Sequence, residues 1–152
     1  MDLPDRKISF EKWWPNLRRT GYVVTSAEDR TYNCFAWAAN DTTACWDPLP
    51  EEGKDSYWPE GVPRVNTTEA FIQAYETIGY KTCDTPDLEP GMEKIVIYAN
   101  NGVLDHAARQ LPNGRWTSKI GEYEDIQHDI NAFKGGKYFG EITVILKRPI
   151  SL

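Results

Sequence analysis

Apolar positions follow two rhythms along this chain of 152 residues: helical spacing in the first half and strand alternation in the second. Phe10, Trp13, Trp14 and Leu17 recur at helical spacing, but Pro15 falls inside the run and is tolerated only near a helix start. Residues 1–20 therefore read as an arm with a short helix that lays Trp13 or Trp14 on the core. Tyr22-Val23-Val24 is strand-like. Asn33 suits a helix N-cap, so a helix should begin at Cys34 and run to about Asn40, apolar nearly all round and hence buried. Residues 41–66, with Pro48, Pro50, Pro59 and Pro63, predict a long loop kept ordered by Trp46, Tyr57 and Trp58. Asn66-Thr67-Thr68-Glu69 opens an amphipathic helix through Ala70, Phe71, Ala74, Tyr75 and Ile78, stopped by Gly79.

The second half turns to strands. Lys94–Ala99 leads into Asn100-Asn101-Gly102, a hairpin turn, and then into Asp105–Leu111. Pro112-Asn113-Gly114 suits a turn closed by a left-handed glycine, with Arg115–Ile120 as the returning strand. Ile126, Ile130 and Phe133 predict a helix over about Tyr123–Phe133, and Glu141–Lys147 a last strand. Helices first and strands afterwards predict a single α+β domain over 1–152, with N-terminal helices on an antiparallel sheet of four to five strands.

Composition narrows the function classes. An apolar fraction of 40% with 26% charged residues is that of a globular protein able to bury a core. The net charge of −6 and pI near 4.9 argue against a nucleic-acid partner, since no basic face is evident. No apolar run approaches the roughly 20 residues of a membrane span. Cys34, Cys45 and Cys83 show no CxxC spacing, and the charged start Met1–Lys7 lacks the apolar run of a signal peptide. A reduced cytoplasmic protein with free thiols is expected. No cofactor and no metal are expected, because no paired ligand spacing supports a zinc site from Cys34, His106 and Cys45 or Cys83.

Two histidines are present. His128, in the expected 123–133 helix, points away from that helix's apolar face and reads as an exposed surface residue. His106 opens a strand. If Leu111 pairs with Arg115 across the turn, His106, Ala108 and Gln110 share a face with Trp116, Ser118 and Ile120, and Ser118 becomes a diagonal neighbour of His106. A slip in the turn puts Lys119 or Thr117 there instead. Cys34 in the first turn of a helix, where free backbone N–H groups and the helix dipole favour a thiolate, is a candidate nucleophile. His106 is its candidate base, and backbone N–H groups at the helix start could hold an oxyanion.

At these residues the chain resembles a family of known pattern. Tyr32-Asn33-Cys34-Phe35-Ala36-Trp37-Ala38, His106-Ala107-Ala108-Arg109-Gln110 and Trp116-Thr117-Ser118-Lys119-Ile120-Gly121 resemble an uncharacterised bacterial domain-of-unknown-function family, from Phe10 to Pro149. Through it the arrangement is similar to papain-like cysteine hydrolases of the NlpC-type and CHAP-type amidase branch. The resemblance implies a papain-like fold and a thiol hydrolase acting on an amide or acyl bond of a small-molecule or peptide substrate. Cys34 would be nucleophile, His106 general base and then acid, and Ser118 the orienter. Serine departs from the residue usual in third place, and Asp125 or Glu122 serves instead if the segment after Gly121 folds back. Tyr32 and Asn33 would stand at the oxyanion site, Gln110 and Trp116 would line the cleft, and the loop with Trp46 and Trp58 would wall it. The alternative is a non-catalytic binding or interaction module, with Cys34 buried and His106 hydrogen-bonded in the core.

Overall fold

The computed structural model describes residues 2–150. Asp2 caps the first helix, its carboxylate accepting from Asp5 N–H at 3.1 Å, and α1 runs Leu3–Trp13. Trp14, forced out of helical geometry by the proline that follows, breaks it at φ −131°, ψ 85°. Pro15 then opens α2 (Pro15–Thr20), where its missing N–H costs nothing. The expected arm is thus two helices hinged at Trp14. After β1 (Tyr22–Ser26) come α3 (Cys34–Ala38) and α4 (Thr68–Glu76). The strands β2 (Lys81–Thr82), β3 (Met92–Asn100), β4 (Val103–Gln110), β5 (Trp116–Lys119), β6 (Asp125–His128) and β7 (Glu141–Pro149) complete the order.

The strands form one seven-stranded sheet in the order β1-β6-β5-β4-β3-β7-β2, every neighbouring pair antiparallel. This overturns the expected four to five strands carrying N-terminal helices in a papain-like arrangement. The helices are short and are divided between the two faces. Phe10 from α1, Trp14 at the break and Leu17 from α2 pack with Phe133 against Val96, Tyr98, Ala108, Trp116 and Ile126. On the other face α3, α4 and the rings of Trp46 and Trp58 pack against Ile95, Ile97, Ala107 and Leu146. A central strand clothed on both faces is apolar on both, as Ile95-Val96-Ile97-Tyr98 is.

The expected helix over 123–133 is not formed. Residues 125–128 are β6, paired with β1 on one side and β5 on the other, and turns and bends follow over residues 130–139. Ile126 faces the α1–α2 core in a period of two. Over so short a run the same apolar residues fit a helical period equally well, and pairing on both edges decides for the strand.

Two turns set the register around the future site. Asn101 and Gly102 at φ 50° and 82° close β3 onto β4 in a two-residue loop of the twist hairpins favour. Leu111 and Arg115 pair across Pro112-Asn113-Gly114 (N···O 2.7 Å), which places Gln110 opposite Trp116 and Arg109 opposite Thr117. Asp105 is an extra residue between the pairs Tyr98↔His106 and Ala99↔Leu104, a bulge in β4.

Candidate functional site

Cys34 begins α3 as its sequence context demands. Asn33 Oδ1 accepts from Ala36 N–H at 3.0 Å and from Trp46 N–H at 3.0 Å, while its amide donates to Trp46 C=O at 2.7 Å. One side chain thus caps the helix and pairs with the 41–66 loop as a backbone strand would. The thiol itself is sealed in. Cys34 is 8% exposed, and its Sγ lies 3.9 Å from the Asp105 carbonyl. Burial pushes the thiol up to about 12, outweighing the Ala107 N–H that favours the thiolate, and the Asp105 carboxylate pushes the same way as burial. The start of a five-residue helix cannot offset that desolvation, so Cys34 is a neutral thiol at physiological pH.

His106 is fully buried on the opposite face. Its ring stacks on Phe139 with centroids 3.7 Å apart and an interplanar angle of 7°, and meets Phe133 edge-on at 5.3 Å. Its Nε2 lies 3.0 Å from Ser118 Oγ, which in turn lies 2.7 Å from His128 Nε2. His128 Nδ1 is 2.7 Å from the Asp129 carbonyl. A carbonyl only accepts, so His128 Nδ1 carries the proton and its Nε2 is a bare acceptor. Ser118 must then donate to His128, which leaves His106 Nε2 to donate to Ser118. The proton positions in the chain His106–Ser118–His128–Asp129 are set by that one carbonyl. Burial holds both imidazoles neutral. His106 is pushed well below its ordinary value by burial and by His128, and His128 is pushed down to about 4, chiefly by burial. His128, expected at the surface, is 0% exposed.

The sheet therefore stands between the two candidates. Cys34 packs with Ala107 in the α3–α4 core, and His106, the residue before Ala107 on β4, points the other way into the ring cluster of Tyr98, Phe133 and Phe139. The structure brings His106 and Ser118 together and does not bring His106 to Cys34. Asp125 lies on the Cys34 face, where its Oδ2 accepts from the Tyr32 hydroxyl at 2.6 Å. Burial raises Asp125 above the usual carboxylate range against that hydrogen bond. Lys119 lies over the Tyr32 ring at 5.0 Å and donates to the Tyr123 carbonyl. Glu122 is exposed beside Arg30 at 3.4 Å, and Trp116 is buried in the α1–α2 core. Trp46 and Trp58 pack into the α3–α4 core, their indole N–H groups satisfied by Asp41 and by the Pro63 carbonyl. Among the described residues no three His, Cys, Asp or Glu side chains are grouped to hold a metal, and no helix is long and apolar enough to cross a membrane.

A concave site opens elsewhere, where the sheet comes apart. The β3–β4 ladder begins at Ile95↔Arg109. Beyond it, Met92, Glu93 and Lys94 pair with β7 but not with β4, the Met92 N–H turning to the Glu89 carbonyl at 3.1 Å, while Gln110 follows β5 away. The gap holds a cleft of about 340 Å³, lined by Leu88, Met92, Leu111 and Ile150 with Arg109 and Gln110. The loop bridging it is pinned from both strands, by Lys94 Nζ to the Thr85 carbonyl at 2.8 Å and Gln110 Nε2 to the Pro86 carbonyl at 2.9 Å. That second bond fixes the amide orientation, because an oxygen cannot face a carbonyl. Gln110 Oε1 is consequently a buried acceptor with no partner. Arg109 makes one long hydrogen bond, Nε to the Trp37 carbonyl at 3.5 Å, and lies 5.6 Å from the Trp37 ring centroid. Sequence reasoning named Gln110 as a cleft residue. It did not find this cleft, since nothing in the pattern of β3 or β4 says where their pairing stops.

The fold and site define an all-antiparallel sheet domain clothed on both faces, with a buried thiol, a neutral histidine pair and a cleft between diverging strands. Residues 23–147 match the family described as Domain of unknown function (DUF7689), and the chain belongs to that family. No curated protein and no solved structure matches the chain.

Proposed function

We propose that this domain is a ligand-binding module whose site is the cleft between β3 and β4, and that Cys34 and His106 serve the fold rather than hydrolysis. The observation that carries this reading is Gln110 Oε1. An acceptor desolvated in a strand-lined cleft and left without a donor costs about 1–3 kcal/mol, which a bound donor recovers. The cleft volume falls in the lower range of ligand pockets, and its apolar lining with a few polar groups is their usual chemistry. A thiol hydrolase on Cys34 finds support in the Asn33-capped helix start. Against it stand the buried neutral thiol and a base candidate directed into the opposite core.

Two measurements test the reading together. Iodoacetamide labelling of native protein, mapped by peptide mass across pH 7–9, should modify the half-buried Cys45 and Cys83 and spare Cys34. Amide-bearing apolar fragments followed by NMR should shift the backbone signals of residues 88–93 and 109–112. Fast labelling of Cys34 near neutral pH that falls in the His106→Ala protein, with no fragment shifts at the cleft, would return the hydrolase.

A further inference from the structure

A second cleft, of about 370 Å³, opens at the β2 edge of the sheet and shares only Glu89 with the first. A row of like charges sets it apart. Lys81 on β2 stands opposite Lys147 on β7, and Lys147 stands opposite Lys94 on β3. Directly opposed residues of antiparallel strands share a face, with Cβ atoms about 5 Å apart. The three lysines thus lie side by side across three strands, a row roughly 10 Å long at about 4.8 Å per strand. Like charges placed directly opposite are destabilising, and here two such pairs follow one another.

The counter-charge on the protein falls short of the row. Glu89 pairs with Lys147 at 3.1 Å and stands 3.8 Å from Lys94. All three ammonium groups bear on that one carboxyl. The hydrogen bond from Lys147 holds it below its usual range, and Lys94 and Lys81 push the same way. Lys81 is exposed and, among the described residues, has no ion-pair partner. Asp84, the other carboxylate lining the cleft, is exposed and likewise unpaired. Lys94 is the costly member. Its side chain is 1% exposed, and its Nζ donates to the Thr85 carbonyl at 2.8 Å, although an ammonium carries three donors. A buried cation so thinly partnered is an arrangement that an anion above it relieves.

A ligand for this row must displace Glu89, so one carboxylate is not enough. It needs several negative charges spread along a line, and two linked phosphoryl groups supply them. Lysine meets phosphate as a point charge, without the fixed fork geometry that arginine brings.

We propose that the lysine row is a binding site for a diphosphate group. The diphosphate lies between Lys81 and Lys147, over the buried charge of Lys94, and takes the place of Glu89 as their counter-ion. Neither site depends on the other, since none of the three lysines lines the β3–β4 cleft.

The test is isothermal titration calorimetry at fixed ionic strength, without divalent cations, using inorganic diphosphate, ADP and inorganic phosphate. Backbone NMR shifts of residues 81–85 and 147 place the site. Both diphosphates should bind saturably and about tenfold or more tightly than phosphate, the value of one added charge-assisted hydrogen bond. Lys81→Gln and Lys147→Gln should each weaken binding about fivefold or more, and Glu89→Gln, which removes the competing carboxylate, should strengthen it. Lys12→Gln makes the same change in net charge on the exposed side of α1 and should leave binding unchanged. Tighter binding of ADP than of inorganic diphosphate supports a nucleotide as the source, and equal binding supports recognition of the diphosphate alone. Phosphate bound as tightly as diphosphate overturns the diphosphate class. Absence of saturable binding by either diphosphate, or equal weakening by Lys12→Gln and Lys81→Gln, overturns the site.

Discussion

At the scale of single residues, Ser118 joins two rings that would otherwise each lose a partner. Ser118→Ala removes the acceptor for His106 Nε2–H and the donor to His128 Nε2, leaving two unsatisfied groups in a dry core. A loss of about 3 kcal/mol in chemical denaturation is expected. The same histidines make stability depend on pH. Both have folded values below the ordinary one, so the unfolded chain binds more protons as the pH falls below about 6.5. Stability contributed by the neutral rings is thus present above about pH 6.5 and is lost towards acid, for His128 down to about 4. The slope is about 1.4 kcal/mol per pH unit for each ring. Asp105 and Asp125, held above the usual carboxylate range by burial, push the other way. The difference between wild type and His128→Gln isolates the ring: the variant's midpoint should fall less steeply between pH 6.5 and 5, and parallel curves would refute the neutral assignment. Asn33 is the third residue of this kind. Asn33→Ala removes a cap and two bonds to Trp46, for about 3 kcal/mol, whereas Asn33→Asp keeps the acceptor and should cost about half as much.

At the scale of elements, the turns and caps were legible because their causes are local. Asn101-Gly102 requires two positive φ values, and Pro112-Asn113-Gly114 requires a left-handed third residue, so both hairpins could be placed from residue type alone. The cap of α4 lies one residue on from the expected Asn66: Thr67 accepts from Ala70 N–H through its hydroxyl at 3.2 Å, and Asn66 bonds the Leu104 backbone instead. The 123–133 segment shows where local reading ends. Ile126, Ile130 and Phe133 fit a helix in isolation, and only the presence of β1 and β5 on either side makes residues 125–128 a strand. His128 followed its element, from an expected surface position to a fully buried one. The segment after it closes tightly on α1 and α2. A Cβ on Gly136 would lie 2.2 Å from the Trp14 ring and 2.9 Å from the Trp13 carbonyl. Gly136→Ala should therefore destabilise by about 1–3 kcal/mol through overpacking, read as a lower thermal midpoint.

At the scale of the whole molecule, the sheet is a partition. Its two faces carry separate cores, and each candidate for chemistry belongs to one of them: Cys34, Tyr32 and Asp125 on one side, His106, Ser118 and His128 on the other. Arg6 ties the second layer to the sheet through a bidentate pair with Glu124 at 2.6 and 2.7 Å, buried on both partners, which lowers the Glu124 carboxyl. The same partition exposes the cleft, because β3 stays with β7 while β4 stays with β5 beyond Ile95↔Arg109.

What the sequence determined by itself is the set of choices made within a few residues: the capped start of the Cys34 helix, the two hairpin turns, and through the second turn the register that sets Ser118 beside His106. Short-range sterics and hydrogen bonding suffice for these. Only the tertiary structure decided the number of strands, the burial of His128, the side of the sheet on which Cys34 and His106 each lie, and the place where two strands part. Those depend on partners distant in sequence. Strand alternation says that neighbours point oppositely, but which core each side meets is settled by the elements that arrive to cover it. A cysteine and a histidine that read as a pair along the chain are held apart by the thickness of one sheet.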